Sequence, residues 1–307
     1  MDKKYSIKIS EEDENKRLDS FLSVFFEQKS RTQIQNSIKN GEILINSSVK
    51  KPSYQLKEND LICIDFKEEE NAIIMPENIP LDIKYEDDAM LVVNKPKNML
   101  THPTAKEKSQ TLVNALLYKY GYEGLSNTNG SLRPGILHRL DRNTSGLLMV
   151  AKNNNSHNYL ANQIKEKTAI RKYLAVVQGT FQENEGTINK DISRHPTKPE
   201  KMSVVEQGLS AVTHYKVLES FNKHAFLELQ LETGRTHQIR VHLSSIKHPI
   251  VNDSLYGAEK TKVKTKEQTL QAYDLTFTTP YDNSIINVHL EPDEDIQKVL
   301  NYLRSKQ

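Results

Sequence analysis

The sequence predicts an α+β chain: a small N-terminal domain of two helices and a short sheet, then a larger domain on a mixed, mainly antiparallel sheet flanked by helices and loops. Three observations carry that prediction. Helical periodicity is confined to short blocks, two late segments alternate apolar with polar residues, and a proline-bearing stretch without any period separates the halves. With 307 residues and 36% hydrophobic content, the chain is long enough for about two cores.

Leu18, Phe21, Leu22, Phe25 and Phe26 recur at i, i+3, i+4, i+7 and i+8, which marks the buried face of a first helix. Ser30 reads as the N-cap of a second helix, with Ile34 and Ile38 on one face and Gly41 just past its end. Glu42–Asn46 and Asp60–Asp65 read as strands. The first domain is therefore placed at residues 1–70, a linker containing Pro76 and Pro80 at 71–80, and the second domain at 81–307. In the second domain Leu91–Val93 is a short apolar strand ending at Lys95-Pro96, and Leu112–Tyr120 and residues 156–168 are helical. Ala169–Val177 is a strand. Leu227, Leu229 and Leu231 alternate with polar residues, as do Tyr273, Leu275 and Phe277, which favours antiparallel pairing. A terminal helix carries Ile296, Leu300 and Leu303 on one face. No internal repeat is present.

Composition excludes several classes. A lone cysteine, Cys63, cannot form an internal disulfide, and no Cys/His cluster has zinc spacing. The N-terminus lacks an apolar signal core, and no run approaches the roughly 18 apolar residues of a membrane span. The expectation is a cytoplasmic monomer. Net charge is only +2, but the five basic residues Lys29, Arg31, Lys39, Lys50 and Lys51 face one acid, Glu42, a local balance of +4. Such a patch favours a polyanionic partner if other evidence supports one.

The run Gly135–Asn153 places two apolar strand candidates around a polar centre, with Asp141 where the first ends and the turn-forming Asn143-Thr-Ser-Gly146 behind it. An aspartate there is most often a turn stabiliser. In a second run, Leu231–Leu243, the strand ends at Gly234, Thr236 can cap a helix, and Ile239, Leu243 and Ile246 form its apolar face. Arg235 then sits beside a helix N-terminus, where a cation opposes the dipole, so a nearby anion is expected, and Asp141 is the candidate. His237 and His242 stand five residues apart, about 140° around a helix, which disfavours a shared metal. HExxH, P-loop and GxGxxG motifs are absent, so no metal or nucleotide cofactor is expected. Tyr173 lies within the strand Ala169–Val177, where a tyrosine usually packs in the core with its hydroxyl at the rim.

Residues Arg17–Leu22, Ser30–Gln35, Ile38–Gly41 and Ile43–Asn46 resemble the αL RNA-binding module appended to many RNA-modifying enzymes. That resemblance implies RNA contacts from Arg17, Arg31, Gln35 and Lys39. One departure is Ser47, where the module usually has glycine. From Ile83 onward the chain resembles the RluA/RluD family of pseudouridine synthases, closest to the RluD branch. The resemblance rests on Asn94-Lys-Pro96 with Thr101-His-Pro103, His138–Gly146, Arg171-Lys-Tyr173, Ser193–Pro196, Ala211–His214 and Gly234–Arg240, six segments in order.

The resemblance implies a cofactor-free isomerase that converts uridine to pseudouridine in structured RNA, with large-subunit ribosomal RNA as the expected substrate. Asp141 would be the essential carboxylate, Tyr173 would pack on the base, and Arg235 would pair with the aspartate. Arg139 would fill the gap left by the flipped base or contact a phosphate, and Arg194 and Lys198, with His195 and Lys201, would form a second RNA-facing loop. Two rivals remain. A non-catalytic RNA-binding protein would not need Asp141, Tyr173 and Arg235 together, and a glycosidase needs a second motif acid.

Overall fold

The computed structural model describes residues 4–26, 31–66, 74–104, 106–258, 262–263, 265 and 267–307. The expected cap Ser30 lies outside the described residues. The chain divides into two compact units, Met1–Ala72 and Ile73–Gln307.

In the first unit, β1 (Lys4–Lys8), α1 (Leu18–Phe25), α2 (Arg31–Lys39), β2 (Ile43–Ile45) and β3 (Leu61–Asp65) follow in order. The sheet order is β1-β3-β2, antiparallel throughout. The apolar spacing read from the sequence builds its core: Leu18, Leu22, Ile34 and Ile38 from the helices pack on Ile43, Ile45, Ile62 and Ile64 from the sheet. Phe25, expected on the buried face, is exposed, with its ring against those of Phe21 and Phe26 at the edge of the cluster. Strand β1 went unpredicted; its five residues carry charge and only one aliphatic side chain.

The second unit begins inside the stretch read as linker. Ile74 is buried in its core, Glu77 N–H donates to the Asn114 carbonyl, and Asn114 Nδ2 donates to the Met75 carbonyl. Residues 74–80 are therefore extended but packed.

Its elements are β4 (Ile83–Glu86), β5 (Met90–Lys95), α3 (Leu112–Tyr120), β6 (Ser145–Ala151), α4 (Asn154–Lys165), β7 (Ile170–Gln178), β8 (Glu185–Asn189), β9 (Ile192–Arg194), β10 (Met202–Val204), β11 (Val212–Ser220), β12 (His224–Leu231), α5 (Gln238–Ser245), β13 (Leu270–Thr278), β14 (Ile285–His289) and α6 (Glu294–Arg304). The large sheet runs β4-β5-β6-β13-β7-β12-β11-β8, with β14 on β13. Every pair is antiparallel except β6 with β13. That parallel contact spans two residue pairs and depends on Gly146: at φ 117° a Cβ there would stand 2.0 Å from the Ala272 carbonyl oxygen. Helix α3 covers one face of the sheet through Leu112, Leu116 and Leu117, and α6 packs Ile296, Val299 and Leu300 on Leu174 and Val176 of β7.

One expected strand does not form. Before Asp141 the chain makes a single bridge, Ile136 to Val150. The reason lies in contacts made across the turn: the His138 ring accepts the Met149 N–H at 3.1 Å, and the Gly135 carbonyl accepts that of Ala151. The side of β6 facing this segment is thus satisfied by a loop.

Candidate active site

Asp141 stands in the loop that enters β6, at the point where the sheet joins in parallel, and the loop is held on both sides of it. Thr101 Oγ1 donates to the Leu140 carbonyl at 2.9 Å. The fully buried Lys95 ammonium donates to the carbonyls of Pro96, Met99 and Arg142 at 2.8, 2.9 and 3.1 Å. Burial pulls Lys95 down to about 7, partly offset by the charge of Asp141. The Asn94-Lys-Pro motif thus braces the loop that carries Asp141.

The cation that meets Asp141 is Arg240. Its Nη1 lies 3.1 Å from Asp141 Oδ2, while Nε and Nη2 hold the buried Asp253 at 2.7 and 2.9 Å. Two carboxylates raise the Arg240 pKa against the opposing effect of burial, and the bidentate grip of Asp253 aims the remaining nitrogen at Asp141. Arg235, expected in this role, lines the same cleft but is exposed, and its Nε donates to the Ser210 carbonyl at 3.1 Å. The displacement follows from where α5 starts. Thr236 does not cap it. The N-cap position is His237, left-handed at φ 56°, and the loop is instead braced by Gln238, whose Oε1 accepts Arg235 N–H and whose Nε2 donates to the Val212 carbonyl. The first helical turn therefore presents Arg240, and not Arg235, to the aspartate.

A cleft of about 320 Å³ surrounds Asp141, lined among others by His102, His138, Arg139, Arg171, Tyr173, Arg235, His237 and Arg240. Tyr173 is buried at 5% exposure, and burial raises its phenol, so it enters as a neutral hydroxyl. His102 is pushed down to about 4, by burial first and then by Arg133 and Arg139. His138 falls to about 3, again by burial first. Both rings are neutral near pH 7. His237 is lowered by burial despite the charge of Asp141, and its Nε2 lies 3.8 Å from Asp141 Oδ2. The Tyr256 hydroxyl accepts Met202 N–H and sits 2.9 Å from His237 Nδ1. His242 turns away to Thr213 and the Lys190 carbonyl, so the two histidines share no ligand.

Of the expected RNA-contacting residues, Arg139 is exposed at the rim of this cleft, and Arg194 and Lys198 are exposed on the β9–β10 hairpin, where Arg194 donates to the Pro199 carbonyl. In the first unit Arg17, Arg31 and Gln35 converge on one fully buried carboxylate, Asp19, at 2.7 to 3.2 Å. Arg17 foremost holds Asp19 well below the usual carboxylate range. Lys39 is exposed at the end of α2. Asp253 and Tyr256, which set the geometry of Arg240 and His237, were not legible, since no local pattern distinguishes them from ordinary loop residues. Arg240 lay inside a recognised motif, and only the register of α5 separates it from Arg235.

Comparison with known proteins gives the family. Residues 89–245 match the family model described as RNA pseudouridylate synthase, and residues 16–62 match the S4 domain. The chain is 42% identical over 298 residues to the uncharacterized RNA pseudouridine synthase YlyB of Bacillus subtilis (strain 168), covering 97% of each. It is 39% identical over 297 residues to the ribosomal large subunit pseudouridine synthase D of Buchnera aphidicola subsp. Acyrthosiphon pisum (strain APS), covering 92% of this chain and 93% of that one. Among solved structures, human RNA pseudouridylate synthase domain containing 1 superposes with a TM-score of 0.56 at 26% identity, over 75% of this chain and 96% of the other. The small N-terminal module is an S4 domain, and the chain belongs to the RNA pseudouridylate synthase family, isomerases that convert uridine to pseudouridine in RNA.

Proposed function

We propose that the chain isomerises uridines in large-subunit ribosomal RNA in the cytoplasm, with Asp141 as the essential carboxylate and Arg240 as its counter-ion. The observation that carries this reading is the fixed pairing of Asp141 with an arginine already clamped by a second buried aspartate. A carboxylate so held can attack covalently or assist proton removal beside the sugar without reorganising. Tyr173 supplies an apolar face beside it for the extruded base, and Arg139 at the rim is placed to occupy the vacated stack or a phosphate. The relatives named for the large ribosomal subunit support the substrate class.

Asp141→Asn keeps the side-chain size and removes the charge. Its expected effect is a loss of turnover of about a thousandfold or more, with RNA affinity and thermal stability little changed. Single-turnover release of tritium from [5-³H]uridine RNA measures it, and activity within about tenfold of the parent enzyme sinks the assignment.

A further inference from the structure

Arg171 leaves β7 two residues before Tyr173, so both side chains emerge on the same face of the strand, and both line the Asp141 cleft. Arg171 is only 5% exposed. Among the described residues its side chain nevertheless makes no hydrogen bond or ion pair, and its Nε is buried without an acceptor. Arg240, equally deep, satisfies itself with two aspartates. The groups that feel the charge of Arg171, His138 and Tyr173, are neutral. Room is kept for it: a Cβ on Gly234 would stand 3.3 Å from Nη1. A cation withdrawn from water with no protein anion is costly, so its place in the cleft is explained by something that binds there.

We infer that Arg171 is a catalytic residue: it holds the carbonyl edge of the flipped uracil and stabilises the negative charge that gathers there as the glycosidic bond opens. This rests on the Asp141 cleft being the site of isomerisation. Depth favours the base over a phosphate, because the phosphates of an extruded nucleotide stay with the backbone at the cleft mouth. Spacing favours it too. Residues 171 and 173 are separated by about 6.6 Å along the strand, so a pyrimidine lying on Tyr173 brings an exocyclic oxygen within reach of the guanidinium.

The chemistry then requires such a donor. When the C1′–N1 bond breaks, its electron pair leaves on uracil N1 and spreads onto O2 and O4. The C5–C1′ bond forms next, C5 loses its proton, and N1 gains one, so the atoms balance. If Asp141 instead adds to C6, the displaced pair again reaches O4. Either way a fixed cation meets charge where it develops. Cytosine would present its 4-amino donors to the same guanidinium donors, so Arg171 also selects for uracil.

The test compares Arg171→Met, Arg171→Lys and Arg171→Gln on one target RNA carrying uridine or 5-fluorouridine, whose base is the better anion. Arg171→Met is expected to slow glycosidic cleavage of uridine RNA about 100-fold, leave affinity within about threefold, and lose at least about tenfold less on 5-fluorouridine RNA. Arg171→Lys should recover part of the loss. Removing an unpaired buried cation should leave Tm unchanged or higher. The inference is overturned by a penalty equal on both substrates, by a loss that lies in affinity and lowers the salt slope as a phosphate contact would, or by a Tm that falls by several degrees. Arg171→Gln repeats the comparison if the methionine variant is insoluble. Asp141→Asn run in parallel separates the two readings: an inactive Asp141→Asn beside an unimpaired Arg171→Met removes only this inference, and an active Asp141→Asn removes the site itself.

Discussion

Arg235 and Arg240 lie five residues apart in the same motif, yet the consequences of removing them should differ widely. Arg240 neutralises Asp253, which is 2% exposed, and reaches Asp141 as well. Breaking a buried pair from one side strands the remaining charge, so Arg240→Met is expected to lower unfolding free energy by about 3–5 kcal/mol and to abolish turnover. Arg235→Ala removes an exposed side chain bonded to one carbonyl, and should change stability by about 0.5 kcal/mol or less while costing far less turnover. Urea denaturation and single-turnover kinetics on both variants check this, and equal losses would contradict the pairing. The residue types were legible in the motif. Which arginine faces the carboxylate depends on the helix start, set by Gln238 bonding across to β11.

Short elements show the same division between local and distant causes. Helix α3 matches its sequence bounds, Leu112–Tyr120, because Thr111 and Asn114 form a capping box and Gly121 ends it. The expected strand before Asp141 does not form, because contacts from His138 and Gly135 with β6, eleven or more residues away, replace it. Between β2 and β3 the Asn46-Ser47 turn is closed by reciprocal bonds of Ile45 and Ser48, with φ 48° and 64° at the two central residues. Both are left-handed, as a type I′ turn demands. A serine there is strained by about 1–2 kcal/mol where glycine is not. Ser47→Gly should therefore stabilise the S4 domain by about 0.5–1 kcal/mol after the larger unfolded-state entropy of glycine is counted. Amide exchange at Ile45 and Ile62 should slow about two- to fivefold, and faster exchange would show the turn prefers serine.

Across the whole molecule, the exposed cations proposed to meet phosphates and the residues proposed for the chemistry lie in different compact units, so the two functions should separate by deletion. The exposed cations Arg17, Arg31 and Lys39 lie in Met1–Ala72, and every cleft residue lies in Ile73–Gln307. A fragment starting at Ile73 keeps its own packed N-terminal stretch through Ile74 and Met75. It should fold, isomerise the same uridines more slowly, and bind RNA with a flatter salt dependence, because fewer counterions are released. An unchanged salt slope would show that the S4 domain contributes no phosphate contacts. The sequence alone determined the two helices of the N-terminal unit and two of its three strands, the later alternating strands, and the motifs that hold Asp141 and Tyr173. These follow from periodicity and from motifs a few residues long, where neighbours in sequence are neighbours in space. Tertiary structure decided the order of the large sheet, the choice of Arg240, the clamp from Asp253, and the solitary burial of Arg171. Asp141 and Arg240 are 99 residues apart. Contacts at that separation arise when strands pair and a helix is set in register against them, and no local pattern encodes the result.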